Sequence, residues 1–487
     1  MGSVSNVPTE ILTEIFLHAC ETFYSLPDPP SRLVDLPRTA SSSPVVVTIS
    51  SVCSRWRSIA TSTPQLWSRF RLIAPLLPRS SELLLLFLDR AGNNPLDFCL
   101  YLFDVKAASA VSVRLLRSIF RHLVGEAHRW RNVQILLPPS SQYIGVPSFD
   151  LSDWPQNLPM LETLFLDTPG DPHKEILSIT PNMTMPHLRV LTLKGRWAIR
   201  AFDLSGRIDW SGSLHISPAQ LVLDMDYLHW GAIEFASPST VVQIRRFCGV
   251  WVYGDVTCQT RRLEIYPGPI RSSNSSHIPL DTVLRQIGLP NATELVFGRD
   301  LSSALPVDAI TTFKPFVFPH DALISLLSRR CNAEKLTHFS LLNYIISDSH
   351  LFKILTHLPS LTFLAIDERF PYSNEQDNTD GEFALTKTFF CALTQSSIDP
   401  KIPIASLEEF KLAFHPNHLL AMYNNSSLEE CTTSLLDMVE SRAIGRGRYL
   451  KKVSVHFEVD CCLNDERIQA LSGQGVNFKL GWNVDVS

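Results

Sequence analysis

Residues that could bind a metal or act in catalysis occur at a few positions of this 487-residue chain. Their spacing does not favour a metal or catalytic site. Asp224 and Asp226 form an Asp-x-Asp pair that could hold a metal ion, but the pair begins inside a predicted strand. His456 begins a His-x-Glu pair that is followed by Cys461 and Cys462, a spacing that fits no standard zinc site. We therefore expect structural roles for both groups and predict no metal site.

Motifs of the common enzyme classes are absent from the sequence. It contains no GxSxG elbow, no Walker lysine loop, no GxGxxG turn and no HExxH helix. The DNTDGE run that begins at Asp377 lacks the alternating ligands of a calcium loop. A hydrolase or transferase would need a cluster of titratable residues, and no sequence feature supports one. We predict a protein that is not an enzyme and needs no cofactor.

Composition indicates a large folded protein of the cytoplasm, the nucleus or both. With 487 residues and 45% hydrophobic content, the chain exceeds one compact domain and can bury a large core. The net charge of −5 and the scattered basic residues favour no nucleic-acid partner. We expect no secretory signal and no membrane span. The ten cysteines form no CxxC pair, as is typical of reduced intracellular thiols.

A short amphipathic segment near the N-terminus, VPTEILTEIFLHAC, carries the clearest functional signal. Pro8 suits the first turn of a helix, and Glu10 complements the helix dipole there. The apolar residues that follow recur at helical spacing and are Ile11, Leu12, Ile15, Phe16 and Ala19. The segment therefore predicts a helix with one apolar face.

After a polar gap, a second amphipathic pattern extends through SVCSRWRSIATSTPQLW. Its apolar stripe consists of Val45, Ile49, Val52, Cys53, Trp56, Ile59 and Ala60. The run 45–47 is a poor helix former, so this helix is expected to start late or fray. Thr63 before Pro64 should end it, and Leu66 and Trp67 follow as an apolar anchor. Most such stripes are buried in a protein's own core, but this much apolar surface on short helices favours a partner.

Together these segments resemble the F-box, through PxEILxEIF and VCxRWRxIAxxxPxLW within residues 6–70. The resemblance implies that the chain binds the Skp-type adaptor of SCF ubiquitin ligases, brings a substrate to the ligase, and catalyses nothing itself. The adaptor contacts that it implies are Val7, Pro8, Ile11, Leu12, Ile15, Phe16, Val52, Cys53, Trp56, Ile59 and Trp67. Val7 stands where the family prefers leucine. The long gap at 21–44 resembles the gapped F-boxes of mushroom-forming fungi and predicts a flexible insert.

Behind this module, residues 79–137 predict a helix that stops at Gly92, a strand from Leu96, a further helix and a further strand. Beyond residue 129 a weak repeat of the form apolar-x-x-apolar-x-apolar is present. Its copies begin at Leu161, Leu188, Leu336, Leu361, Leu407 and Leu450, with looser ones at Trp130, Pro218, Thr260 and Ala292. The unit resembles a divergent leucine-rich repeat, in which a short strand is followed by a helical or irregular return.

The predicted fold class is therefore α/β, with a small all-helical F-box module and then a leucine-rich-repeat-like solenoid with a parallel sheet. We predict an F-box-like domain over 1–72, a helical linker over 73–128 and the solenoid over 129–487. Alternate strand residues are expected to point outward and to offer a protein-binding surface. These are Phe165, Lys194, Glu264, Tyr266, Phe363, Asp367, Lys411 and His456, although simple solvent exposure is the commoner role for any one of them.

Two functions remain open from the sequence. The first is a substrate-recognition subunit of an SCF-type ligase, with the adaptor, a cullin bound through the adaptor, and an unknown protein substrate as partners. The alternative is a protein-binding repeat scaffold that holds the adaptor without ubiquitin transfer. Recovery of a cullin together with the adaptor would distinguish the two.

Overall fold

The computed structural model describes most of the chain in a series of segments. They are residues 7–24, 45–73, 78–101, 110–136, 157–168, 184–195, 218–224, 236–245, 255–267, 279–299, 317–344, 346–369, 383–394, 404–414, 427–444, 450–457 and 465–481, with a few more residues between 155 and 251. The chain divides into two compact units, residues 1–235 and 236–487. The predicted boundary between 128 and 129 lies within the first unit, and the three-domain division stays a prediction.

The first unit begins with three helices where the sequence predicted two. They are α1 (Thr9–Tyr24), α2 (Val45–Val52) and α3 (Ser54–Ser62). The extended backbone of Cys53 separates α2 from α3, and its sulfur accepts a hydrogen bond from the Trp56 amide at 3.4 Å. The predicted late start of the second helix is wrong: α2 begins at Val45, because burial of Val46 and Ile49 outweighs low helix propensity. Helix α1 extends to residue 24, and the rest of the predicted insert, 25–44, lies outside the described residues.

Six parallel strands follow in the first unit, in chain order. They are β1 (Arg69–Ile73), β2 (Leu96–Tyr101), β3 (Trp130–Leu136), β4 (Thr163–Thr168), β5 (Val190–Gly195) and β6 (Gln220–Asp224). Helix α4 (Pro78–Ala91) connects β1 to β2, and α5 (Ala110–Gly125) precedes β3. Gly92 ends α4 with a φ of +56°, a conformation that favours glycine, so the predicted stop is confirmed.

Eight parallel strands form the sheet of the second unit. They are β7 (Val241–Arg245), β8 (Arg262–Tyr266), β9 (Glu294–Phe297), β10 (His338–Leu342), β11 (Phe363–Asp367), β12 (Glu409–Ala413), β13 (Lys452–His456) and β14 (Asn477–Gly481). Its helices are α6 (Pro279–Gln286), α7 (His320–Arg329), α8 (Asp348–Thr356), α9 (Lys387–Leu393), α10 (Ser427–Ile444) and α11 (Asp465–Gly473).

The core of the second unit lies between this sheet and the apolar faces of its helices. Register places buried side chains of neighbouring strands opposite each other: Leu263, Leu295, Phe339, Leu364, Phe410 and Val453. Helix α8 buries Leu351, Ile354 and Leu355 at helical spacing, and consecutive helices pack side by side. Every copy of the sequence repeat leads into one of the strands, so the predicted parallel arrangement is confirmed.

Candidate functional site

The apolar residues of α1 are divided between a buried face and an exposed one. Leu12 and Phe16 are buried, whereas Ile11 and Ile15 have 51% and 53% of their surface exposed. Residues four apart in a helix lie on the same side, so Ile11 and Ile15 form one exposed apolar strip. Polar Glu14 and His18 are exposed on the same helix.

The end of α2 adds a further exposed apolar residue to this helical domain. Val52 is 57% exposed and is followed by the exposed Cys53. Six large hydrophobic residues are exposed in the described part of the chain, and the domain holds three of them: Ile11, Ile15 and Val52. Exposed apolar groups concentrated in a small domain are typical of a protein–protein contact.

Four of the residues predicted to touch an adaptor lie instead in the interior of the first unit. Leu12, Phe16, Ile59 and Trp67 are each at most 5% exposed. Their apolar area is already removed from water by the protein's own packing, so they support the exposed strip from beneath. This corrects the expectation that the whole stripe is available to a partner. Sequence periodicity finds the stripe but does not tell which of its residues face inward.

Half-buried Trp56 lies against this interior, with its ring centroid 4.8 Å from that of Phe16. Arg55 donates a hydrogen bond to the Val7 carbonyl at 2.5 Å and so connects α3 to the residue before Pro8. Val7 is half-buried and Pro8 is exposed. Trp67 donates from its indole nitrogen to the Ala60 carbonyl at 2.7 Å, which fixes the turn after α3.

The second predicted surface, on the outward side of the strands, is partly buried in the first unit. Phe165 packs with Cys99, Tyr101 and Leu136 in a buried cluster, so its predicted exposure is wrong. Burial raises the pKa of the Cys99 thiol to about 12, which makes it a poor nucleophile at neutral pH. Lys194 is half-buried and pairs with Asp167 at 2.8 Å.

Glu264 in β8 is also buried, which corrects its predicted exposure. Its carboxylate accepts hydrogen bonds from Gln243 at 2.8 Å, Arg262 at 2.7 Å and Tyr266 at 3.2 Å. These three donors satisfy the hydrogen-bonding capacity of the buried carboxylate. We therefore assign Glu264 and Tyr266 to an internal polar network of the sheet.

The outward side of β10–β13 remains accessible. Lys411 is exposed, and its ammonium lies 5.0 Å from the ring centroid of half-buried Phe363. The Phe363 ring stacks on His338 at a centroid distance of 5.3 Å. Asp367 is half-buried and paired with Arg369 at 2.5 Å, and His456 is half-buried. Sequence reasoning missed His338, although it occupies the same position of the repeat as Phe363.

The sequence candidates for metal binding do not come together in the structure. Asp226, Glu458, Cys461, Cys462 and the run at 377 lie outside the described residues. Among the residues that the structure describes, no group of three His, Cys, Asp or Glu side chains could hold a metal ion. None of the described helices is both long and apolar enough to cross a membrane.

Comparison with known proteins agrees with the helical geometry. An F-box-like family model matches residues 4–73, which include α1, α2, α3 and β1. No curated protein matches the chain. F-box proteins are generally non-catalytic subunits that bind the Skp-type adaptor of SCF complexes. The family match and the exposed apolar strip coincide, and residues 4–73 are therefore an F-box-like domain.

Proposed function

We propose that this chain is the substrate-recognition subunit of an SCF-type ubiquitin ligase. Its F-box-like domain binds the Skp-type adaptor and, through it, a cullin, while a leucine-rich-repeat-like solenoid of strands binds a target protein. The observation that carries the proposal is the exposure of Ile11, Ile15 and Val52 within the segment that the F-box-like family model matches.

In this proposal the adaptor covers Ile11, Ile15 and Val52, with Val7, Pro8, Cys53 and the accessible edge of Trp56 around them. Burying a large aliphatic side chain contributes about 1.5–3 kcal/mol relative to leaving it exposed. Three such side chains supply a substantial part of the free energy of association, because they are half exposed in the free chain.

The chain's contribution to catalysis is proximity alone. A target held on the sheet region and a conjugating enzyme held through the adaptor and cullin become parts of one complex, so ubiquitin transfer becomes effectively intramolecular. No group of this chain touches the reacting atoms. The proposal places the protein in the cytoplasm, the nucleus or both.

The experiment is affinity purification of the tagged full chain co-expressed with the adaptor and a cullin. We expect both proteins to be recovered with the wild type and lost with the double variant Ile15→Asp and Val52→Asp. Each aspartate would place a charge in an apolar contact, at a cost of several kcal/mol. The matched control is Leu85→Asp with Met160→Asp, which changes two exposed apolar residues outside the F-box-like domain.

Recovery of the adaptor without a cullin would instead support the alternative, a repeat scaffold that holds the adaptor without ubiquitin transfer. If the wild type recovers neither the adaptor nor a cullin, both candidate functions are overturned. Equal loss with the control variant would show that the effect does not come from the proposed surface.

A further inference from the structure

The outward side of strands β10–β14 carries an excess of positive charge at its last three strands. Parallel register places Lys411, Ser454 and Lys479 opposite each other on β12, β13 and β14. Lys452 lies in the neighbouring row, opposite Glu409 and Asn477. Neighbouring strands are about 4.8 Å apart, so the backbones of Lys411 and Lys479 are separated by roughly 10 Å.

The carboxylates of this face neutralise only part of that charge. Glu409 lies 2.7 Å from the Lys452 ammonium and 3.3 Å from that of Lys411, so two lysines share one carboxylate. Burial would raise the pKa of Glu409, but the two lysines outweigh burial and lower it, which keeps the carboxylate ionised. Lys479 is exposed and has no ion-pair partner among the residues that the structure describes. Three cations against one anion leave an excess of two positive charges.

Three other described strands of the second unit carry acidic and basic side chains that pair with each other. At β8 and β9, Arg262 pairs with both Glu264 and Glu294, and at β11 Asp367 pairs with Arg369. Among these described strands, the lysine excess lies at β12–β14.

The stacked rings of His338 and Phe363 lie next to the lysines, with their centroids 5.3 Å apart. The row beside these rings consists of Ser340, Ala365, Lys411, Ser454 and Lys479, which are short side chains apart from the lysines. An extended peptide could therefore approach the sheet closely, with carboxylates at the lysines and an apolar group against Phe363.

We propose that this face binds an extended, acidic segment of the target protein, rich in Asp and Glu, that crosses β11–β14. The proposal rests on the proposed function, because it names the class of target segment that the receptor would hold. Lysine on an edge strand such as β14 also discourages edge-to-edge association, but this does not account for Lys411 and Lys452 further inside the sheet.

The test measures fluorescence anisotropy of a short labelled peptide rich in Asp and Glu, titrated with the full chain. The comparison peptide replaces Asp and Glu with Asn and Gln. We expect the acidic peptide to bind more tightly, and its affinity to fall steeply between about 50 and about 300 mM salt. The variant Lys411→Gln with Lys479→Gln should bind it at least about tenfold more weakly. Lys353→Gln with Lys387→Gln, on helices α8 and α9, should bind like the wild type.

Equal binding of both peptides, or unchanged binding by the Lys411 and Lys479 variant, would overturn the inference. So would tighter binding of a labelled single-stranded oligonucleotide, since stacked aromatic rings beside lysines can also serve nucleic acid. Adaptor binding is measured on the same preparations. If the adaptor binds and the acidic peptide does not, this inference fails while the proposed function stands.

Discussion

Ile15 and Phe16 are neighbours in α1, yet their side chains lie in opposite environments. Phe16 is 2% exposed and packs against Trp56, whereas Ile15 is 53% exposed. The first stabilises the domain, and the second is free to contact a partner. Removing each side chain should therefore affect different properties of the protein.

We expect Phe16→Ala to destabilise the domain by about 3–5 kcal/mol, because it removes a large buried ring and leaves a cavity. Ile15→Ala should change stability by at most about 0.5 kcal/mol. Hydrogen exchange of the α1 amides measures both effects within the full chain. Equal loss of protection in the two variants would contradict the burial pattern.

We expect His320 to make the stability of the second unit depend on pH. Its ring stacks on that of His350 at a centroid distance of 3.5 Å, where α7 meets α8. Burial, followed by the charges of His350 and Lys353, lowers the pKa of His320, and Asp321 opposes the shift only in part. Because the unfolded chain takes up the proton at the ordinary pKa of about 6.5, stability is present above that pH and lost as the pH falls through it.

The expected result is a lower urea midpoint at about pH 5 than at about pH 7, with a smaller difference in His320→Gln. The half-buried His357→Gln serves as a control for general acid effects, since that ring only bonds within its own helix end. An unchanged pH dependence in the His320 variant would show that the stacked pair does not cause it.

At the scale of elements, Arg442 connects α10 to two other segments. Its guanidinium donates to the carbonyl of Leu393, at the end of α9, at 2.9 and 3.1 Å. It also donates to the carbonyl of Ile404 at 2.8 Å, and Ile404 has a positive φ of 57°. Burial lowers the pKa of Arg442 to about 10, so the group stays protonated at neutral pH. The cation holds a helix end and an unusual backbone turn in place.

Replacing Arg442 with methionine should cost at least about 2 kcal/mol, because two carbonyls lose their buried donor. Arg467→Met is the matched control: its partners Asp437 and Glu440 are more exposed, and we expect a loss of at most about 1 kcal/mol. Thermal unfolding, followed by a signal from the second unit, distinguishes the two variants. A larger effect at Arg467 would contradict this account.

Aromatic contacts connect the F-box-like domain to the strands behind it. Trp67 meets Phe87 of α4 at 5.2 Å, Phe87 meets Phe70 of β1 at 5.7 Å, and Phe70 stacks on Phe98 of β2 at 5.5 Å. Arg90 lies 4.5 Å above the Trp67 ring. Because these side chains are fully or largely buried, the domain and the first strands share one packed core.

The elements themselves could largely be predicted from the sequence, because strand and helix periodicities are local. Strand β1 was missed, because it lies where the all-helical module and the helical linker were predicted. Strands β7 and β14 were missed, since VVQIR and NFKLG lack the leading leucine of the repeat. The break at Cys53 was missed because the apolar stripe continues across it. Burial of Phe165 and Glu264 could not be predicted, because it depends on contacts between strands far apart in sequence.

At the scale of the whole molecule, the two units carry different candidate surfaces. The first unit holds the apolar strip of Ile11 and Ile15 and the exposed Val52, and the second holds the lysines of β12–β14. An apolar surface suits a lasting association with an adaptor, and a charged one suits a salt-sensitive, exchangeable target. Two surfaces of different character are consistent with the proposed function.

The most direct test of the account is calorimetric titration of the purified full chain with the purified Skp-type adaptor. We expect saturable binding by the wild type and by Leu85→Asp with Met160→Asp. Ile15→Asp with Val52→Asp should bind at least about a hundredfold more weakly, since each charge costs several kcal/mol in an apolar contact. Wild-type affinity in a folded Ile15 and Val52 variant would contradict the central claim, because the exposed strip would then not be the adaptor site.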